Sequence, residues 1–173
     1  MSLSRRKFTT LSLAALSTPI FAPAVLGQAK PRVVVIGGGP GGGTVARYLV
    51  KDSNGAIDVT LVEPQKNFTT CFFSNLYVGG FRDFKSITHN YDKVRKGGVH
   101  VAHVSAVSVD RDKKEVVLSD RSKVPYDRLV IAPGIDLKFD SVPGYSEEAA
   151  QIMPHAWKPG AWTPSLKPRS SRR

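Results

Sequence analysis

The first apolar runs in the chain predict two strands separated by a helix. Residues 32–36 and 57–62 are rich in valine and isoleucine, as in strands that are buried on both faces of a parallel sheet. Glycines interrupt the first run at 37–43, and residues 44–50 then place apolar side chains at helical spacing. A strand, a helix and a second strand in this order are typical of an α/β fold.

The remainder of the chain is predicted to form shorter elements. Residues 65–90 lack a clear period, so we expect mostly loops there. Proline, serine and arginine dominate residues 161–173, which we expect to be a disordered basic tail. The folded part is therefore placed within residues 28–160. The patterns there predict a short helix over 91–96, strands over 99–109, 115–118 and 123–132, and a helix that begins near Ser146.

The glycine-rich break after the first strand has the spacing of a dinucleotide-binding loop. Gly37 permits a tight turn, Gly39 leaves room for a pyrophosphate, and Gly42 lets the helix pack close to the strand. Glu63 ends the second strand about 20 residues after Gly42, where a carboxylate accepts hydrogen bonds from a ribose. Its charge disfavours a 2′-phosphate and hence NADP. The alternative is a glycine-rich turn with a structural Glu63.

A second segment favours FAD as the dinucleotide. Residues 126–134 begin with polar side chains, continue as an apolar run and end at Gly134. This order is the second fingerprint of flavoproteins with two dinucleotide-binding domains, in which the chain returns beneath the FAD. Taken alone, the segment is also compatible with a buried strand that ends in a turn. Together, the two motifs predict a Rossmann-type FAD-binding domain of the two-dinucleotide flavoprotein type.

Three further segments carry a resemblance to a known family. Residues 68–75 (Phe-Thr-Thr-Cys-Phe-Phe-Ser-Asn), 145–150 (Tyr-Ser-Glu-Glu-Ala-Ala) and 154–158 (Pro-His-Ala-Trp-Lys) are similar to the flavoprotein subunit of flavocytochrome c sulfide dehydrogenase. The resemblance covers roughly residues 30–160. It implies oxidation of sulfide by FAD and transfer of the electrons to a c-type cytochrome subunit. It also implies that Cys71 attaches the flavin through a thioether to its 8α carbon.

The flavin chemistry gives a lone cysteine a role. Oxidised flavin can lose an 8α proton, and a thiolate held nearby can then add to that carbon. No acid or base next to Cys71 in the sequence accounts for activation of the thiol. The alternative is an inert cysteine packed among phenylalanines.

The chain departs from the resembled family in two respects. Family members are far longer, and a pair of cysteines beside their flavin handles the sulfide sulfur. Cys71 is the one cysteine of this chain, so the redox pair is absent and we assign no catalytic residue. The tail after residue 160 is typical of an out-of-frame or truncated product. We therefore expect an incomplete FAD domain that folds poorly alone, binds FAD weakly and is inactive.

Two other functions stay open for the sequence. One is a different pyridine-nucleotide-disulfide-type flavoprotein, such as a sulfide:quinone reductase. The other is a non-catalytic fragment that retains only affinity for nucleotides. Covalent flavin on Cys71 distinguishes the first from the sulfide dehydrogenase, and the missing cysteine pair is the feature that favours the second.

The charges of the chain indicate export rather than binding of nucleic acid. The chain has 25 Lys and Arg against 14 Asp and Glu, a net charge of +11, but the excess lies mostly in its two end segments. Arg5 and Arg6 precede a moderately apolar stretch, which predicts a twin-arginine signal peptide over 1–27 and a periplasmic protein. No apolar run reaches the length of a membrane span. The four histidines lack metal-ligand spacing, so we expect no metal.

Overall fold

The computed structural model describes residues 29–152, which form an α/β fold with nine strands in that range. Four α-helices are present among the same residues: α1 (Pro40–Asp52), α2 (Ser74–Val78), α3 (Asp92–Lys96) and α4 (Glu147–Ile152). A 3-10 helix covers Phe84–Ile87. The strands are β1 (Arg32–Ile36), β2 (Asp58–Val62), β3 (Asn67–Thr69), β4 (Thr88–Asn90), β5 (His100–Ala102), β6 (Ala106–Asp110), β7 (Glu115–Leu118), β8 (Lys123–Pro125) and β9 (Arg128–Ile131).

The central element is a parallel sheet of four strands in the order β5-β2-β1-β9. Val34 of β1 lies between Thr60 of β2 and Leu129 of β9, which fixes the register. Since all four strands run the same way, their carboxyl ends meet at one edge of the sheet. Ligands of open parallel sheets bind outside this edge.

Each face of the parallel sheet is covered by a different layer. Val33, Val35, Val59 and Leu61 pack against helices α1 and α3 on one face. The side chains that alternate with these along the strands, among them Val34, point to the other face and pack against the antiparallel sheet β6-β7-β8. The consecutive apolar residues of β1 and β2 are explained by this burial on both faces.

The structure confirms the predicted α/β fold class and corrects several element boundaries. Helix α1 begins at Pro40 instead of Thr44, because proline at the first helical position lacks only an N–H that would be unpaired. The run predicted as one strand over 99–109 is divided between β5 and β6, and the run over 123–132 between β8 and β9. In both cases the chain leaves one sheet and enters another.

Residues 65–90 contain more regular structure than the expected loops. Strands β3 and β4 pair antiparallel, with Phe68 opposite His89. Between them lie α2 and the 3-10 helix. These elements are short, and the sequence shows no period of 2 or 3.6 residues that would have marked them. The predicted signal peptide over 1–27 and the basic tail over 161–173 lie outside the described residues.

Candidate nucleotide-binding site

The first and third glycines of the loop hold three segments in close contact. Gly37 has a φ of +97°, and its N–H donates a hydrogen bond to Val62 O at 2.9 Å. A Cβ at Gly37 would clash with the carbonyl oxygen of Ala132, just after β9. A Cβ at Gly42 would clash with the carbonyl oxygen of Gly37. Both glycines are therefore required by packing between the loop, α1 and the end of β9.

Gly39 is different, because it faces open space. A Cβ at this position would have no neighbour within 4 Å. Gly39 caps the 13-residue helix α1, and its carbonyl accepts the N–H of Gly43 at 2.8 Å. The N–H of Gly39 itself donates to no other described residue. The loop thus presents an open glycine and the positive end of a helix, an arrangement that suits an anion.

Glu63 lies directly beside this loop. Its Oε2 accepts the N–H of Gly38 at 2.7 Å, and its Oε1 accepts the N–H of Gln65 at 2.8 Å. Its own N–H donates to Ala102 O of β5 at 2.9 Å. A carboxylate offers about four acceptor positions, so about two stay available at Glu63. Two hydroxyls of a ribose could therefore be bound there without displacing the backbone contacts.

Two residues that the sequence pattern did not single out complete this arrangement. Tyr91 is 5% exposed, and its hydroxyl donates a hydrogen bond to Gly38 O at 3.1 Å. Burial, together with the nearby charge of Glu63, raises the pKa of Tyr91 to about 12. The ring of His103 lies 5.7 Å from that of Tyr91, and its Nδ1 is 3.0 Å from Glu63 O. The position of an aromatic residue before a short helix was the available signal for Tyr91.

The other two predicted cofactor residues lie in different surroundings. Gly134 has a φ of +78° and faces open space two residues beyond Ala132, so it belongs to the same sheet edge as Gly37. Cys71 is half-buried in the turn between β3 and α2. Its carbonyl accepts the hydroxyl of Ser74 at 2.8 Å. Within residues 29–152, no hydrogen bond joins Cys71 to the glycine loop or to Glu63.

Candidate metal sites and membrane-spanning helices are both absent from the described part of the chain. No group of three or more His, Cys, Asp or Glu side chains there could hold a metal ion. None of the helices there has the length and hydropathy required to cross a membrane.

Comparison with known proteins places this fold in a family. The model of the pyridine nucleotide-disulphide oxidoreductase family matches residues 31–168. The chain belongs to this family. As a pyridine nucleotide-disulphide oxidoreductase domain, it has the Rossmann-like α/β fold that binds FAD. The match continues past residue 160, the boundary predicted for the folded part.

Relatives that act on sulfide are among the matches. The flavoprotein chain of a flavocytochrome c sulfide dehydrogenase from Chlorobaculum thiosulfatiphilum is 59% identical over 44 residues, which are 25% of this chain and 90% of that sequence. The mitochondrial sulfide:quinone oxidoreductase of Dictyostelium discoideum is 30% identical over 118 residues, which are 67% of this chain. The structure of the sulfide:quinone oxidoreductase from Aquifex aeolicus has a TM-score of 0.56 and 31% identity over 63% of this chain. This chain spans 26% of the Dictyostelium protein and 25% of the Aquifex one.

The residues at the sheet edge fit the ADP half of FAD, the cofactor that the family implies. The open position of Gly39 leaves space for a pyrophosphate, and the N-terminal end of α1 supplies N–H donors. The free acceptor positions of Glu63 match a ribose diol.

Proposed function

We propose that this chain is the FAD-binding part of a periplasmic flavoprotein that oxidises sulfide and passes the electrons to a c-type cytochrome. The observation that carries the proposal is the 59% identity to the Chlorobaculum flavoprotein chain. The twin-arginine pattern at Arg5-Arg6 supports export. The geometry at Gly39 and Glu63 supports binding of a dinucleotide.

The residues of the sheet edge have distinct tasks in this proposal. Gly39 and the first turn of α1 bind the pyrophosphate, and the carboxylate of Glu63 accepts the ribose hydroxyls. The absence of a side chain lets the backbone segments come into close contact at Gly37 and Gly42. At Gly134 it permits a turn with positive φ. Bound FAD would accept two electrons from the substrate and release them singly to a haem. No residue of this chain is assigned to the sulfur chemistry.

Cys71 attaches the flavin in this proposal. Its thiolate would hold the flavin through a thioether to the 8α carbon, with loss of the thiol proton and of one proton from that carbon. Formation of the thioether would leave the flavin reduced by two electrons, which the cytochrome partner would accept. The resemblance of residues 68–75 to the sulfide dehydrogenase subunit supports this assignment.

Mass spectrometry of the denatured chain tests the attachment. The full chain is incubated with excess FAD and cytochrome c as electron acceptor, then denatured and separated from free flavin. The expected result is a mass increase by one FAD on the peptide that contains Cys71, and its loss in Cys71→Ser. An unmodified peptide, in a chain that demonstrably binds FAD, would contradict attachment through Cys71.

A sulfide:quinone oxidoreductase is the second candidate, favoured by the matches to the Dictyostelium and Aquifex proteins. The two candidates differ in their electron acceptor. The protein purified from its native source is supplied with sulfide and either cytochrome c or a soluble quinone. Reduction of cytochrome c alone supports the first candidate, whereas reduction of quinone alone supports the second.

A further inference from the structure

The backbone of Gly38 is held from both sides, through the two peptide groups that flank its Cα. Its N–H donates to Glu63 Oε2 at 2.7 Å, and its carbonyl accepts the hydroxyl of Tyr91 at 3.1 Å. The residue itself is confined between the same two side chains. A Cβ at Gly38 would lie 2.7 Å from Tyr91 Oη and 2.8 Å from Glu63 Cγ. Gly38 therefore connects Tyr91 to the carboxylate, although it lies outside the three glycines of the loop motif.

The carbonyl of Gly38 and the N–H of Gly39 belong to one trans peptide group. In such a group the C=O and the N–H point in opposite directions. A hydroxyl that holds the carbonyl on the Tyr91 side therefore directs the N–H of Gly39 to the other side. That N–H has no partner among the described residues, and the space beside Gly39 is open.

Tyr91 can perform this task because α3 and the sheet keep it in place. Its ring packs in the same core as Val35 of β1 and Leu61 of β2. Its backbone carbonyl accepts the N–H groups of Val94 and Arg95 in the first turn of α3, both at 3.0 Å. The pKa of Tyr91, which burial raises to about 12, lies well above physiological pH, so the hydroxyl is protonated and can donate.

We infer that Tyr91 is a positioning residue for the nucleotide, which acts through Gly38 on the Glu63 carboxylate and on the N–H of Gly39. This role rests on the proposed dinucleotide site and adds a residue that orients it. In this role Tyr91 would contact neither the ribose nor the pyrophosphate. Its hydroxyl instead orders the two groups that do, before the ligand arrives.

Calorimetric titration of the full chain with ADP and with 2′,3′-dideoxy-ADP tests the inference. Tyr91→Phe keeps the ring and removes only the hydroxyl. We expect it to weaken ADP binding by about three- to ten-fold, the range of one lost hydrogen bond. The loss should be smaller for the dideoxy nucleotide, which offers no hydroxyls to Glu63. A merely structural role would weaken both ligands equally.

Tyr126→Phe is the matched control. Tyr126 is 8% exposed but packs on the other face of the sheet, so its variant should bind both nucleotides as the wild type does. Unchanged ADP affinity in Tyr91→Phe, or an equal loss for both ligands, would overturn the inference and leave the nucleotide site intact. A wild-type chain that is folded but binds no ADP would instead refute the nucleotide site itself, and the role of Tyr91 with it.

Discussion

At the scale of single residues, the carboxylate of Glu63 makes the central hydrogen bonds of the candidate site. Each of its carboxylate oxygens already accepts one backbone N–H, from Gly38 and Gln65. These bonds fix the orientation of the carboxylate and leave acceptor positions for a ligand. In the proposed site, the charge of Glu63 would contribute to the choice of nucleotide together with its shape.

Glu63→Gln should weaken ADP binding by about ten-fold, because hydrogen bonds to a charged acceptor are stronger than those to an amide. It should also narrow the preference for ADP over 2′-phospho-ADP, since the repulsion of the extra phosphate is lost. Competitive titration with both nucleotides measures the two effects. Glu115→Gln is the control, because Glu115 pairs with Lys123 at 3.4 Å in the antiparallel sheet. Equal ADP affinity in Glu63→Gln and wild type would contradict the assigned role.

At the scale of elements, the site depends on how closely α1 approaches β1 and β9. Gly42 faces the carbonyl oxygen of Gly37, and Gly37 faces that of Ala132. Gly41 in the same helix is not constrained in this way, because a Cβ there would meet no atom within 4 Å. Alanine at Gly42 therefore tests the packing contact, whereas alanine at Gly41 tests helix propensity alone.

Gly42→Ala should destabilise the chain by about 1–3 kcal/mol, the usual cost of forcing extra volume into a packed contact. Gly41→Ala should be neutral or stabilising by up to about 1 kcal/mol, since alanine favours a helix more than glycine does. Urea unfolding of the two variants provides the comparison. Similar midpoints for both variants would show that the approach of α1 to the loop is not tight.

The starts of β1 and β9 are joined by an ion pair that depends on pH. Asp127 Oδ2 accepts the backbone N–H of Arg32 at 2.7 Å, and the Arg32 guanidinium lies 3.0 Å from Oδ1. The hydrogen bond from the Arg32 side chain, followed by that from its backbone, lowers the pKa of Asp127 from 3.8 to about 2. Protonation of this carboxylate therefore costs more in the folded chain than in the unfolded one.

The contribution of Asp127 to stability is fully present above about pH 4 and is lost as the pH falls towards 2. Asp127→Asn should flatten the decline of the unfolding free energy over that interval. Arg32→Gln should flatten it in part, because the backbone N–H of residue 32 still donates. Denaturant melts at several pH values between 2 and 5 measure the slopes. A slope unchanged in both variants would contradict the link between the strands.

At the scale of the whole molecule, the site is assembled from segments far apart in the chain. Four segments meet at one sheet edge: the loop after β1, the end of β2, the residue that precedes α3 and the segment after β9. Large apolar side chains are also exposed in the described residues, among them Ile131, Ile135 and Ile152 at 64%, 72% and 83%. That the chain alone folds poorly and binds FAD weakly stays a prediction.

Weak binding predicts that FAD raises the unfolding temperature only when it is in large excess. Ligand binding stabilises a folded chain by about 2.7 kcal/mol at a concentration one hundred times its Kd. Thermal melts at increasing FAD concentration test this, with FMN as control because it lacks the adenosine that Glu63 would bind. A cooperative transition with stoichiometric FAD would contradict the expectation of weak binding. An equal response to FMN would contradict a site for the ADP half.

The pattern of the chain was sufficient to predict β1, β2, the glycine loop and the position of Glu63. Those features are local, because buried parallel strands appear as apolar runs and the turn between strand and helix requires glycine at set spacings. The boundaries of β5, β6, β8 and β9 were not predictable in the same way. An apolar run shows that a strand is buried, but not at which residue the chain passes from one sheet to another.

Only the tertiary structure revealed the contacts made between distant residues. Tyr91 reaches Gly38 across 53 positions of the chain, and Arg32 reaches Asp127 across 95. Neither pair leaves a trace in local periodicity, since each depends on the order of strands in the sheet and on the docking of α3. Local chemistry thus determined that the chain has a dinucleotide loop with a carboxylate beside it. Packing determined which buried hydroxyl holds that loop in place.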